Sequence, residues 1–173
     1  MNADDLASAV GTEAAKELSS SLGRLKHCLN QLTDEQVWHR ATPEQNSIGN
    51  LLLHLTGNVR QWIVAGLGHS ADVRNRPAEF AERGPIPVGE LMSKLQAVVD
   101  EAKTVLERQT SGQLLEVRRI QGRDITGLAA IFDSVPHFQG HTQEIIHLTR
   151  QILGKKYKFA WEPATPEQGA SAH

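Results

Sequence analysis

The chain has 173 residues, 39% of them hydrophobic, a formal net charge of -2 with histidine neutral, and one cysteine, Cys28. That length suits a single domain over 1–173 with its own apolar core, and the scattered Lys and Arg residues give no nucleic-acid footprint. One cysteine forms no intramolecular disulfide, the acidic start Met1-Asn2-Ala3-Asp4-Asp5 is unlike a secretory leader, and the apolar runs fall short of the roughly 18 residues of a membrane span. A cytoplasmic protein with no membrane partner is expected.

Leu18, Leu22, Leu25, Leu29 and Leu32 alternate spacings of four and three, which predicts a first helix from about Asp4 to Gln31. A loop through Thr42-Pro43-Glu44-Gln45-Asn46 leads to a second helix over about 47–67, capped by Asn46 or Ser47 and stopped among Gly66, Gly68 and His69. From Ser70 to Pro87 three prolines and an absent period read as a long connection with room for one short turn. Val88, Leu91, Leu95, Val98, Ala102 and Val105 restore the helical rhythm for a third helix over about 88–109, stopped by Ser111-Gly112.

Val117, Ile120 and Ile125 around Gln121-Gly122-Arg123 fit a small hairpin or an irregular crossover. A fourth helix, capped by Asp124 or Thr126, runs to Leu153 before Gly154. Pro136 should kink it unless the helix begins there. The tail carries Tyr157, Phe159 and Trp161, which should pack on the body, and is expected to be flexible after about residue 162. Four long amphipathic helices make the predicted fold class all-α, a four-helix bundle.

His137 and His141 are four residues apart on the fourth helix, so their rings stack on one face and can share an ion. On the second helix, Ser47, Asn50, His54, Gly57, Asn58 and Gln61 form a narrow polar stripe with no Lys, Asp or Glu. A solvated face normally carries such charges, so this stripe points to a polar pocket with His54 as a third ligand. Three neutral imidazoles leave an open coordination position, the pattern of a catalytic ion, with Zn²⁺ or Ni²⁺ as the expected divalent metal. A thiol bound there loses its proton, and bound water is acidified.

Asp133, one turn before His137, is a candidate to hold that ring, with Asn50 as a further supporting residue. Glu144, three residues after His141, is the candidate catalytic carboxylate. His147 points about 80° to 120° away from the pair, and His27 and Cys28 diverge by about 100° as adjacent helical residues, so neither joins the ion. Cys28 reads as a packing residue. His39 and His69 fall in predicted loops, and His173 is terminal.

The run Asn46-Ser47-Ile48-Gly49-Asn50-Leu51-Leu52-Leu53-His54-Leu55, followed later by His137-Phe138-Gln139-Gly140-His141-Thr142-Gln143-Glu144-Ile145, resembles the DinB/YfiT-like superfamily. Val37-Trp38-His39-Arg40 with Pro43 adds to the likeness, which spans roughly residues 5–161. Many relatives carry Thr-Gly-Gln after the second histidine, where this chain reads Thr142-Gln143-Glu144. The resemblance implies a four-helix bundle, commonly a homodimer, with a divalent metal on His54, His137 and His141. It further implies an enzyme activating a low-molecular-weight thiol against a small-molecule electrophile, in the manner of an S-transferase. A hydrolase using metal-bound water is the second expectation, and a noncatalytic metal-binding or structural bundle the third.

Overall fold

Asn2, Thr33, Ser47, Thr110 and Thr126 each accept a hydrogen bond from the backbone N–H three residues on, and each opens a helix. The computed structural model describes residues 2–160. Its elements are α1 (Ala3–Leu29), α2 (Asp34–Trp38), α3 (Ile48–Val59), α4 (Arg76–Ala81), α5 (Val88–Leu106), α6 (Ser111–Leu115), β1 (Val117–Ile120), β2 (Arg123–Thr126) and α7 (Gly127–Leu153). The four long helices α1, α3, α5 and α7 form the expected bundle: α1 packs on α5 and α7, and α3 packs on the same two.

The leucine stripe of α1 lies in the core, where Leu18 and Leu25 are fully buried beside Leu52 and Leu55 of α3, Leu95 and Val98 of α5, and Phe138 and Ile145 of α7. Each such side chain contributes roughly 2 kcal/mol by leaving water. Gly11 sets the approach of α1 to α5, since a Cβ there would run into the carbonyl of Leu106. Among the described residues no helix is long and apolar enough to cross a membrane.

Several local expectations change. The second predicted helix is α-helical only through Val59 and continues as a π-helical turn over Arg60–Ala65, with Gly66 N–H donating to Gln61 O and Gly68 N–H to Ile63 O. Ser111-Gly112 does not stop the third helix; α5 ends at Leu106, and Thr110 caps the separate α6 beginning at Ser111. The long connection holds one short helix, α4, capped by Asn75 with Pro77 in its first turn. Its far end is anchored by Trp38, whose indole fills the space beside Gly49 and Gly84 and donates to Ile86 O at 2.9 Å.

The hairpin forms as β1 antiparallel to β2, turning through Gln121 and Gly122 at φ 51° and 76°. Two positive φ values at the turn match the right-handed twist of the strands. Thr126 is the cap of α7, which runs unbroken through Pro136. After Leu153 the chain folds back: Gln31 accepts from Lys158 N–H at 2.8 Å, and Tyr157 and Phe159 stack edge to face. Trp161, His173 and the predicted flexible end lie outside the described residues.

Candidate metal centre

The polar stripe of α3 faces inward. Asn50 is 0% exposed, His54 4% and Asn58 7%, so its missing charges reflect burial. Every such group needs a partner, and the stripe finds them on other elements. Asn50 Nδ2 donates to Glu79 O at 2.8 Å and Glu82 O at 3.0 Å, while its Oδ1 accepts from Ser47 and Arg40. Asn58 Oδ1 accepts from Ser134 of α7 at 2.9 Å. Asn50 thus fastens α4 to the start of α3, and Asn58 fastens α3 to α7.

These fastenings bring His54, His137 and His141 together. One ring nitrogen from each lies within 4.8 Å of the others, and His54 Nε2 is 2.9 Å from His137 Nε2. Ring centroids are 5.0 Å apart for His54 and His137, 5.2 Å for His54 and His141, and 4.5 Å for His137 and His141, with near-perpendicular planes. The edges of the rings therefore converge on one small volume.

Two of the rings have their outer nitrogens held by carboxylates. His54 Nδ1 lies 3.0 Å from both Glu79 Oε2 and Arg74 Nη2; with its hydrogen given to the carboxylate, the Nε2 lone pair turns to the cluster. Arg74 grips the same carboxylate with two bonds, Nε to Oε1 at 2.7 Å and Nη2 to Oε2 at 2.8 Å. Burial pushes the Glu79 carboxyl up, but the bonds from Arg74 and His54 outweigh it and hold it below the usual carboxylate range. Phe80, next in the chain, packs its ring 4.9 Å from that of His54. Gln61, from the π-helical turn, accepts from Arg74 at 2.9 Å and donates to Asp72 at 2.8 Å.

Glu144 Oε2 lies 2.7 Å from His141 Nδ1 and does for His141 what Glu79 does for His54. Its other contacts are with solvent and with a cavity of about 430 Å³ lined by His39, Arg40, Gln45, Ile48 and Leu148. The expected bond from Asp133 to His137 is absent from the structure. Asp133 instead pairs with Arg123 of β2 at 3.3 Å, because its position on α7 turns the carboxylate outward to the hairpin. Both Asp133 and Arg123 still border a cavity of about 250 Å³ with His54 and His137.

Glu79 and Arg74 were not among the residues singled out from sequence. Their signal was available in the uncharged stripe itself, since a buried His54 requires a partner and two opposite charges five residues apart sit in the connection that follows. His147, His39 and His69 are exposed and outside the cluster. His27 is also outside it, with Nε2 at 2.6 Å from Lys158 O, and Cys28 is buried at 1% exposure.

The donor set fits a divalent cation. Ligand nitrogens about 2.1 Å from a tetrahedral ion stand roughly 3.4 Å apart, between the 2.9 Å of His54 and His137 and the 4.8 Å limit of the cluster. A proton is poorly accommodated at the same place: burial first, then the charges of His141, His54, Arg74 and Arg76, lower the pKa of His137 from 6.5 to about 4. At neutral pH the ring offers a lone pair. The chain thus contains a three-histidine site that could bind a metal.

Known structures share the fold. A conserved protein from Enterococcus faecalis aligns with 20% identity over 84% of this chain and 98% of its own, at a TM-score of 0.71. A DinB-like protein from Bacillus cereus ATCC 10987 aligns with 18% identity over 78% of this chain and 85% of its own, at a TM-score of 0.61. No curated protein sequence matches significantly. Residues 10–163 match the sequence family described as "Protein of unknown function (DUF1572)". With that match over most of its length the chain belongs to this family, and its bundle shares the fold of a DinB-like structure.

Proposed function

We propose that this is a metal-dependent enzyme in which a divalent ion, Zn²⁺ or Ni²⁺, held by His54, His137 and His141 activates a low-molecular-weight thiol for attack on a small-molecule electrophile. The observation that carries the reading is the convergence of three imidazoles whose outer nitrogens are, in two cases, already engaged by carboxylates. A bound ion supplies Lewis acidity, lowering the pKa of a thiol that joins it so that a thiolate is available near pH 7.

The remaining work falls to the chain. Glu79, clamped by Arg74, keeps hydrogen on His54 Nδ1 and fixes the ring plane. Phe80 shields the other side of that ring from water. Glu144 orients His141 and, with its side chain 47% exposed at the edge of the larger cavity, is assigned here the proton of an incoming nucleophile, which it would pass to solvent. That same position would serve a hydrolytic reaction, the second reading, in which water is the nucleophile. The homodimer belongs to this proposal as well.

The test is elemental analysis of wild type and His141→Ala after loading with Zn²⁺ or Ni²⁺, coupled to conjugation assays of a generic electrophile with several thiols. One ion per chain in wild type, its loss in the variant and metal-dependent conjugation are expected. Metal uptake with ester hydrolysis and no thiol conjugation would select the hydrolytic reading, and no stoichiometric uptake would defeat both.

A further inference from the structure

The cavity of about 250 Å³ beside His54 and His137 is rich in hydrogen-bond donors and positive charge. Arg74, Arg76 and Arg123 line it, and Asp133 is the carboxylate on its wall. Two of the three guanidinium groups are compensated: Arg74 by Glu79 at 2.7 Å and Arg123 by Asp133 at 3.3 Å. Arg76 forms no ion pair among the described residues and lies with its Cζ 5.0 Å from the centroid of Phe80, whose ring in turn packs on His54.

Trp62, 4% exposed, lines the same cavity under the Arg123 guanidinium at 5.8 Å, with its indole nitrogen shielded from the open space. The uncompensated group on this wall is therefore the Arg76 guanidinium, which is exposed and free to meet an oxyanion beside His54 and His137. One uncompensated positive charge matches a monoanion better than a doubly charged phosphate, and the planar guanidinium fork matches a carboxylate.

We infer that this cavity is a carboxylate-binding subsite, that Arg76 sets its specificity, and that the small molecule approaching His137 carries a carboxylate. The inference deepens the proposed function and rests on it for the reaction, while binding of the carboxylate needs only the chain. Arg76 recognises the charge, and Trp62 beside it reports on the occupied cavity. The stacked Phe80 links the orientation of Arg76 to His54.

The experiment follows the Trp62 indole N–H by NMR in ¹⁵N-labelled protein, zinc-loaded and metal-free, titrated with 3-mercaptopropionate or with its neutral amide. Trp62→Phe identifies the resonance, and the spectrum itself reports that each variant is folded. The acid should bind wild type roughly tenfold or more tightly than the amide, as expected for a hydrogen bond to a charged group. Arg76→Gln should bring acid and amide within about twofold with zinc content unchanged. Equal affinities in wild type, a preference that survives Arg76→Gln, or tighter binding of inorganic phosphate than of the acid would each overturn the inference. Zinc uptake without acid preference sinks this inference alone. Acid preference without zinc uptake sinks the metal reading alone.

Discussion

A carboxylate oxygen of Glu79 occupies the space that a Cβ on Gly57 would need, so the two residues are fitted to each other across α3 and α4. Gly57→Ala should push Glu79 off His54 Nδ1 without disturbing the leucine face of α3. Removing such a carboxylate partner typically lowers metal affinity ten- to a hundredfold. Competition with a chromophoric chelator should show that loss for Gly57→Ala and for Glu79→Ala, with helix content unchanged. Wild-type affinity in both variants would show that His54 needs no carboxylate.

Stability of the metal-free protein should fall in acid. The His137 pKa is about 4 when folded, below the usual 6.5, so between these values the unfolded chain binds more protons. The contribution is complete above pH 6.5 and lost as pH drops through about 4. Glu79, also lowered, acts in the same direction further into acid. Urea midpoints measured from pH 7 to pH 4 should decline, and His137→Gln should flatten the upper part of that decline. A midpoint independent of pH in wild type would contradict this.

Replacing Glu144 by Gln leaves an oxygen that can still accept from His141 Nδ1–H but removes the proton acceptor. Metal content should therefore stay at the wild-type level while turnover falls roughly a hundredfold. Full activity in Glu144→Gln would confine Glu144 to orienting the ring.

Burial raises the pKa of the Cys28 thiol, outweighing the hydrogen bonds from Tyr157 and Thr149 that act the other way. A disulfide reagent at pH 7 should react with native protein far more slowly than with protein in denaturant, where one thiol per chain appears. Rapid labelling of native protein would show that the segment around Tyr157 opens readily.

The bundle was legible because leucines at three and four residues must share a helix face, whatever surrounds them. His54 was legible for a subtler reason: Asn50, Asn58 and Gln61 make a stripe too polar for a core and too uncharged for water. The short α4 and α6 were not, since helices of six and five residues carry no full period, and Thr110 as a cap is indistinguishable from Thr110 in a turn. The partner of Asp133 was equally hidden, because Arg123 reaches it from a hairpin whose docking onto α7 no local pattern encodes. Glu79 depends on both a missing side chain at Gly57 and a carboxamide at Asn50, a tertiary agreement between α3 and α4.

His54 and His137 stand 83 residues apart in sequence, on two helices that meet only when the bundle has closed. An ion held by both is a thermodynamic latch on the entire fold, worth about 4 kcal/mol when free metal exceeds its dissociation constant a thousandfold. A chelator then behaves as a mild denaturant of the whole domain, and no fragment that ends before α7 keeps the site.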